Sequence, residues 1–395
     1  MEQCALTLIL PISNAENASW LDKKLTFIGT QLGNNAEIDF SKSNLTHFAR
    51  FVILPGADPN SSAKRLLFTS NLDGDLGSYA KELVNKGIAP AIDTIFSKCE
   101  GYTPGTLLTD DKAVEFLNTN NINSNAFYIA LRGATKDIIQ ESADLRQKLD
   151  QQLGTGVVSD KDKAAINVLY KECETLRSTN PSSTVPQPVK MSFGASVMAV
   201  VADVLEWMVG IRYGGNNPQI SVATRTDLYD MEDLVTQNQL TVVVPIKKNI
   251  FSRFFLRAIL WAISIQVKSV KGSLLDLATI HFARWVIIDN GENILFESNF
   301  DGSWENYIDD FVDHASLGMN LIWGNCIGFP RGGAKDIESF KAYIRQNQTP
   351  PQIFYSAYKD STVRNILTDL SLSQKISMFD RPDGEPNFAM GYYGS

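Results

Sequence analysis

Histidine is the scarcest reactive residue in this chain, three among 395 residues, so any imidazole chemistry must use His47, His281 or His314. Cysteine is nearly as rare. Cys4, Cys99, Cys173 and Cys326 are too few and too scattered for a disulfide framework or a zinc cluster. Positive charge is in deficit: 36 Lys and Arg against 44 Asp and Glu leave a net charge of −8, which excludes the basic footprint of a nucleic-acid binder. No Walker-type loop, GxGxxG after a strand, HExxH or GxSxG occurs, so the usual nucleotide, zinc-protease and serine-hydrolase signatures are missing. Gly332-Gly333 reads as a loop, and Asp309-Asp310 lie on a polar helix face. A clean membrane-spanning run is also lacking. Phe193 to Ile211 is broken by Asp203 and Glu206, and Phe251 to Val267 by Arg253 and Arg257; both read as buried or interfacial amphipathic helices. The opening MEQCALTLILPIS has no basic leader and reads as a first strand, with a reducing, cytoplasmic setting expected.

What is present is a repeat. Thr46 to Gly74, THFARFVILPGADPNSSAKRLLFTSNLDG, returns as TIHFARWVIIDNGENILFESNFDG from Thr279 to Gly302. Two apolar runs joined by a polar loop and closed by Asp-Gly read as a β-hairpin leading into a helix. The flanking elements repeat with it. LTLILPI from Leu6 matches LTVVVPI from Leu240, each 41 residues ahead of the histidine of its hairpin. FYIALRGAT from Phe127 matches FYSAYKDST from Phe354, each 26 residues after a glycine, Gly101 or Gly328. Equal spacing across elements of different composition marks an internal duplication.

Each copy reads as β-α-β-β-α-β. The expected fold is therefore α+β: two tandem ferredoxin-like units, at 1–140 and 239–377, with antiparallel sheets. A helical insertion with a Pro-rich linker fills 141–238, and an extended tail follows 378. The strand HFARWVII is apolar on both faces, so both must be covered. The simplest arrangement packs the two sheets face to face. Alternation places His281, Ala283, Trp285 and Ile287 on one side and Phe282, Arg284, Val286 and Ile288 on the other. Phe251 to Val267 falls between two strands and is expected to lie on the second sheet, with the Phe193 segment over its outer face.

This duplicated arrangement resembles the dimeric α+β-barrel superfamily, in the branch of dye-decolorising peroxidases and chlorite dismutases. The resemblance covers about residues 1–140 and 239–370. It implies a haem-dependent, peroxidase-like oxidoreductase acting on a small apolar or aromatic substrate, with haem held by a histidine of the C-terminal unit and peroxide handled by a distal Arg or Asp. The motif departs from the family's GxxDG: Ser298 stands at the first glycine of SNFDG, and the same SNxDG recurs at Ser70 to Gly74. The resemblance puts haem at His314, on a helix where Trp304, Tyr307, Phe311 and His314 recur at helical spacing. It assigns Arg284 and Asp301 to catalysis and His281 to the cofactor's surroundings.

The residues read without that resemblance give blander roles. His47 and His281 recur in both copies and so serve the fold. Asp73 and Asp301 form strand-to-helix turns and can cap the helices that follow them. Arg50 and Arg284, if buried, need acidic or carbonyl partners, and Glu297 is the candidate. His314 is a half-exposed histidine near a helix end. The competing function is a non-catalytic or cofactor-free protein that binds a small apolar molecule or lipid, or docks on membranes or partners through its apolar helices. Peripheral membrane contact and homo-oligomerisation stay open on either reading.

Overall fold

The computed structural model describes residues 2–33, 36–58, 61–155, 235–269 and 279–379. The apolar 193–211 segment, its expected cover over the second unit's first helix, the Pro-rich linker, Cys173 and the tail lie outside the described residues.

The first half opens with β1 (Gln3–Pro11) and α1 (Ala15–Thr30). The Asn14 side chain accepts from Asn17 N and starts this helix five residues before the apolar spacing from Trp20 suggests. The hairpin β2 (Thr46–Pro55) and β3 (Lys64–Asp73) follows. Three helices come next, α2 (Leu76–Asn85), α3 (Ala89–Phe96) and α4 (Asp110–Asn120), then the short β4 (Ala126–Ile129) and α5 (Lys136–Thr155). The second half repeats the order. It contains β5 (Gln237–Pro245), α6 (Ile250–Ser269), β6 (Ile280–Ile288), β7 (Asn293–Asp301), α7 (Trp304–Trp323), α8 (Ile337–Asn347), β8 (Ile353–Ser356) and α9 (Val363–Phe379). Its hairpin turns at Asp289, Asn290 and Gly291, all with positive φ, conformations that Asn, Asp and above all Gly tolerate.

The chain is thus α+β with two antiparallel four-stranded sheets, in the orders β1-β3-β2-β8 and β4-β6-β7-β5. The last strand of each half does not close its own sheet. β8 pairs with β2, Phe48 opposite Ser356 and Phe51 opposite Ile353, while β4 pairs with β6, Ala126 opposite Trp285. The closing strands are exchanged. Because FYIA and FYSA are near copies, the repeat by itself could not reveal which sheet each would join.

Helices cover one face of each sheet. Leu21, Leu25 and Ile28 of α1 join Tyr79, Leu83, Ile92 and Phe96 over Leu6, Leu8, Phe51 and Phe68. Leu256 and Leu260 of α6 join Trp304, Tyr307, Phe311 and Trp323 over Val242, Trp285 and Phe296. The opposite faces meet each other: Val52, Leu54 and Leu67 of the first sheet form one buried cluster with Val286, Ile288 and Leu295 of the second. The layers run helix, sheet, sheet, helix, and α6, which falls between β5 and β6 in the sequence, lies on its sheet as expected, chiefly over β4.

The exchange has a direct test. A protease site inserted near Ser182, between the halves, should yield two fragments that co-elute in native buffer and separate only in denaturant. Separation of the cut halves under native conditions would refute the strand exchange.

Candidate functional site

The inter-sheet layer carries charge among its apolar side chains. Arg50 on β2 crosses to the second sheet, where its Nη1 donates to Leu240 O at 3.0 Å and Thr241 Oγ1 at 3.0 Å. Its Nη2 donates to Ser298 O at 3.2 Å and to the Asn299 amide oxygen. Arg284 on β6 makes the mirror set with the first sheet: Leu6 O at 2.6 Å, Thr7 Oγ1 at 3.1 Å, Ser70 O at 3.1 Å and the Asn71 amide oxygen. Leu6 and Leu240, Thr7 and Thr241, Ser70 and Ser298, Asn71 and Asn299 are repeat equivalents. The contact is isologous within one chain.

The symmetry breaks at Gln239, whose Oε1 accepts from Arg50 Nη1 at 3.0 Å where the first copy has Ala5, and at Glu297. Glu297 lies between the guanidiniums, its carboxylate 3.7 Å from Arg50 Nε and 3.5 Å from Arg284 Nε, while its equivalent Thr69 donates to it at 3.1 Å. Two buried cations share one carboxylate. Burial, only partly offset by Glu297, lowers both guanidinium pKa values, that of Arg284 to about 10. The sequence identified Glu297 as the partner; the carbonyl and amide acceptors supply the rest.

The two histidines stand where the strands bulge. Pairing skips from Thr46 to Phe48 and from Ile280 to Phe282. The extra residue is the histidine, which a bulge re-aims. Alternation had put His281 on the helix-covered face; instead its ring lies 5.3 Å from Phe48 of the other half and 5.9 Å from Tyr358. His281 Nε2 is 2.7 Å from Asp301 Oδ1, and His47 Nε2 is 3.0 Å from Asp73 Oδ1. The second carboxylate oxygen of each aspartate accepts a helix-start amide, Val363 N of α9 at 2.7 Å and Lys136 N of α5 at 2.8 Å. Asp73 and Asp301 therefore cap distant helices, not the adjacent ones. Those are capped by Asp75 on α2 and Ser303 on α7.

His47 Nδ1 lies 2.9 Å from Tyr358 Oη, whose pKa burial raises far above its usual value. Both ring nitrogens of His47 are thus engaged, Nδ1 by the Tyr358 phenol and Nε2 by the Asp73 carboxylate. Each His-Asp pair thus braces a strand bulge against a helix start, and all four side chains are buried.

The residues assigned to a cofactor are not brought together. His314 is exposed on α7, its Nδ1 3.0 Å from Asp310 O. Trp304, Tyr307 and Phe311 are buried in the helix-side core instead. Tyr307 stacks on Phe300 at 3.8 Å between centroids, Phe311 meets its edge at 4.8 Å, and the Arg345 guanidinium lies 3.6 Å over the Trp304 ring. These ring faces are occupied by protein, while Arg284 and Asp301 are held in the two separate networks just described. The residues present do not fit a haem site. Among the described residues no group of three or more His, Cys, Asp and Glu could hold a metal ion. Burial also pushes the equivalent thiols of Cys99 and Cys326 up, Cys99 to about 12, which leaves them unreactive.

The outer face of α6 is a different kind of surface. Ile250, Phe254 and Trp261 are 78%, 68% and 67% exposed, and Phe251 and Ile265 lie exposed along the same side. The window Ile250–Val267 has a mean hydropathy of 1.5, enough by composition to cross a membrane. Its inner residues Ser252, Leu256, Leu260 and Val267 are buried, however, and the last three join the sheet-side core. In the first half, α1 faces solvent with Glu16, Asp22, Lys23 and Thr26 beside Trp20 and Phe27. Sequence reasoning singled out the apolar helix but not which side stays open. Thr7, Thr241, Asn71 and Asn299 were missed, although polar residues kept in both copies of apolar strands are a readable signal. Tyr358 left none, since its equivalent is Leu131.

No family model matches the chain, and neither curated proteins nor solved structures give a match.

Two expectations follow. Glu297→Thr should cost about 3–5 kcal/mol in chemical denaturation, because two buried guanidiniums lose their carboxylate. Adding Thr69→Glu, which supplies it from the equivalent position, should restore most of that loss; no recovery would contradict the pseudo-symmetry. His314→Ala should change stability by no more than about 0.5 kcal/mol, and parent and variant alike should show no Soret band after incubation with haem.

Proposed function

We propose that this chain is a non-enzymatic protein that docks peripherally on a membrane surface through the outer face of α6. The observation that carries this reading is the exposure of Ile250, Phe254 and Trp261 on one side of a helix whose other side is locked into the core. A helix fixed on its sheet by Leu256, Leu260 and Val267 cannot be surrounded by lipid. It can lie in the interface plane with its apolar face in the headgroup boundary. Trp and Phe suit that depth, since an aromatic ring is favoured at the boundary between water and hydrocarbon.

Supporting this reading, the inter-sheet polar groups are engaged with one another and read as scaffold. No observation favours an oxidoreductase. Under the docking reading, the two halves are tandem ferredoxin-like units with exchanged closing strands, a rigid base that holds α6 outward, and the setting is the cytoplasmic side of a membrane.

Flotation of the intact protein with liposomes tests this. Parent protein should co-float without detergent, and Phe254→Asp with Trp261→Asp should abolish co-flotation while leaving the thermal melt unchanged. Failure of the parent to float on any bilayer would end the docking reading.

A further inference from the structure

We infer that the membrane surface recognised by α6 is anionic, and that basic residues flanking the apolar stripe provide the selectivity. This rests on the docking reading above and deepens it.

The stripe is short. From Ile250 to Trp261 it spans about 16 Å at 1.5 Å per residue, and its three most exposed side chains offer modest apolar area. One modest hydrophobic signal gives weak, reversible membrane binding, and firm attachment takes a second, usually a basic one. The sequence around α6 has that second signal. Between 247 and 268 lie Lys247, Lys248, Arg253, Arg257 and Lys268 with no Asp or Glu, a net charge of +5 in a chain of net −8. The nearest acidic residues in sequence are Asp233 and Asp276.

Duplication provides an internal control. The equivalent stretch 13–34 of the first half contains Lys23 and Lys24 against Glu16 and Asp22, a net charge of zero. The helix that gained an apolar outer face therefore also gained basic residues and lost acidic ones. Neither change serves the core, because Leu21, Leu25 and Ile28 of α1 and Leu256 and Leu260 of α6 fill the inner positions in both halves. Lys247 is turned to Gly324 O at 2.6 Å, but Lys248 and Arg257 are exposed, so an apolar face and exposed basic residues have appeared together on this helix, as an anionic lipid surface requires.

Geometry keeps the charges near that surface. Lys248 is exposed at the start of the helix, beside Ile250. Arg257 is exposed one turn from Phe254 and from Trp261, its guanidinium beside Gly291. Arg253 has only a loose contact with the exposed Glu292, at 3.9 Å. The other acidic residue of that neighbouring turn, Asp289, is engaged by Arg65. Among the described residues Glu292 is thus the one carboxylate shown to face this basic edge, and its contact is with Arg253.

Co-sedimentation of the full chain with vesicles of neutral phosphatidylcholine, or of phosphatidylcholine with about 30% phosphatidylserine, decides the matter. Phosphatidylserine should tighten binding about tenfold or more at low salt, and about 0.5 M NaCl should remove most of that gain by screening. Lys248→Glu, at an exposed position that leaves packing alone, should lower the preference severalfold, and Arg257→Glu should lower it further. Phe254→Asp with Trp261→Asp should lose binding to both vesicle types. Equal, salt-insensitive binding of the parent to both would overturn the anionic inference and leave the docking reading standing. Binding to neither would overturn both. If light scattering shows a dimer that Phe254→Asp with Trp261→Asp makes monomeric, and the parent ignores vesicles, the face is a self-interface and the inference is wrong.

Discussion

The pair of guanidiniums crossing between the sheets is the constraint on which the rest of this structure depends. A buried Arg must find several acceptors or destabilise the fold by several kcal/mol. Arg50 and Arg284 find theirs on backbone and side chains of the opposite sheet, within the equivalent pairs Leu6 and Leu240 and Ser70 and Ser298. Sliding one sheet over the other by one residue would move those carbonyls by about 3.3 Å and break both sets together. The apolar cluster of Val52, Leu67, Val286 and Leu295 supplies burial but tolerates sliding. The guanidiniums select a single register.

The other buried polar groups follow the same pseudo-two-fold arrangement. The histidine at each bulge grips an aspartate, and that aspartate holds the start of the helix after the closing strand. Since each closing strand belongs to the other half's sheet, this brace ties a helix to a hairpin of its own half while its strand lies in the other. Phe127 and Phe354 on the exchanged strands stack on Phe282 and Phe48, and sit 5.8 and 5.6 Å from Arg284 and Arg50. Charge network, bulges and strand exchange therefore form one unit, with Tyr358 near both histidines as its asymmetric member.

Much of this was legible in the amino-acid sequence because the duplication displays each element twice. The two hairpins, the seat of α6 on its sheet, the face-to-face sheets and the Arg284–Glu297 contact all follow from repeat spacing and the cost of burying charge. The exchange was not legible, because near-identical strands fit either edge equally well. The bulges were hidden too, since a period-two pattern cannot register one extra residue. The regular helical spacing that placed His314 on the stripe of Tyr307 and Phe311 does not hold to the end of that helix. The backbone leaves helical geometry at the next residue, Ala315, with φ −133°, and there Ala315 is buried while His314 faces solvent.

The exchanged strands also set a timetable for synthesis. The first sheet lacks its fourth strand until Ile353–Ser356 has emerged, nearly 300 residues after β2 ends at Pro55. At about 5–20 residues per second the ribosome needs roughly 15–60 s to deliver that strand. Until then the edge of β2 either stands open, a template on which foreign strands add, or is filled by the near copy Ala126–Ile129, which must leave again for the second sheet. The duplicated architecture thus makes the native closure of its first sheet one of the last pairings that synthesis permits.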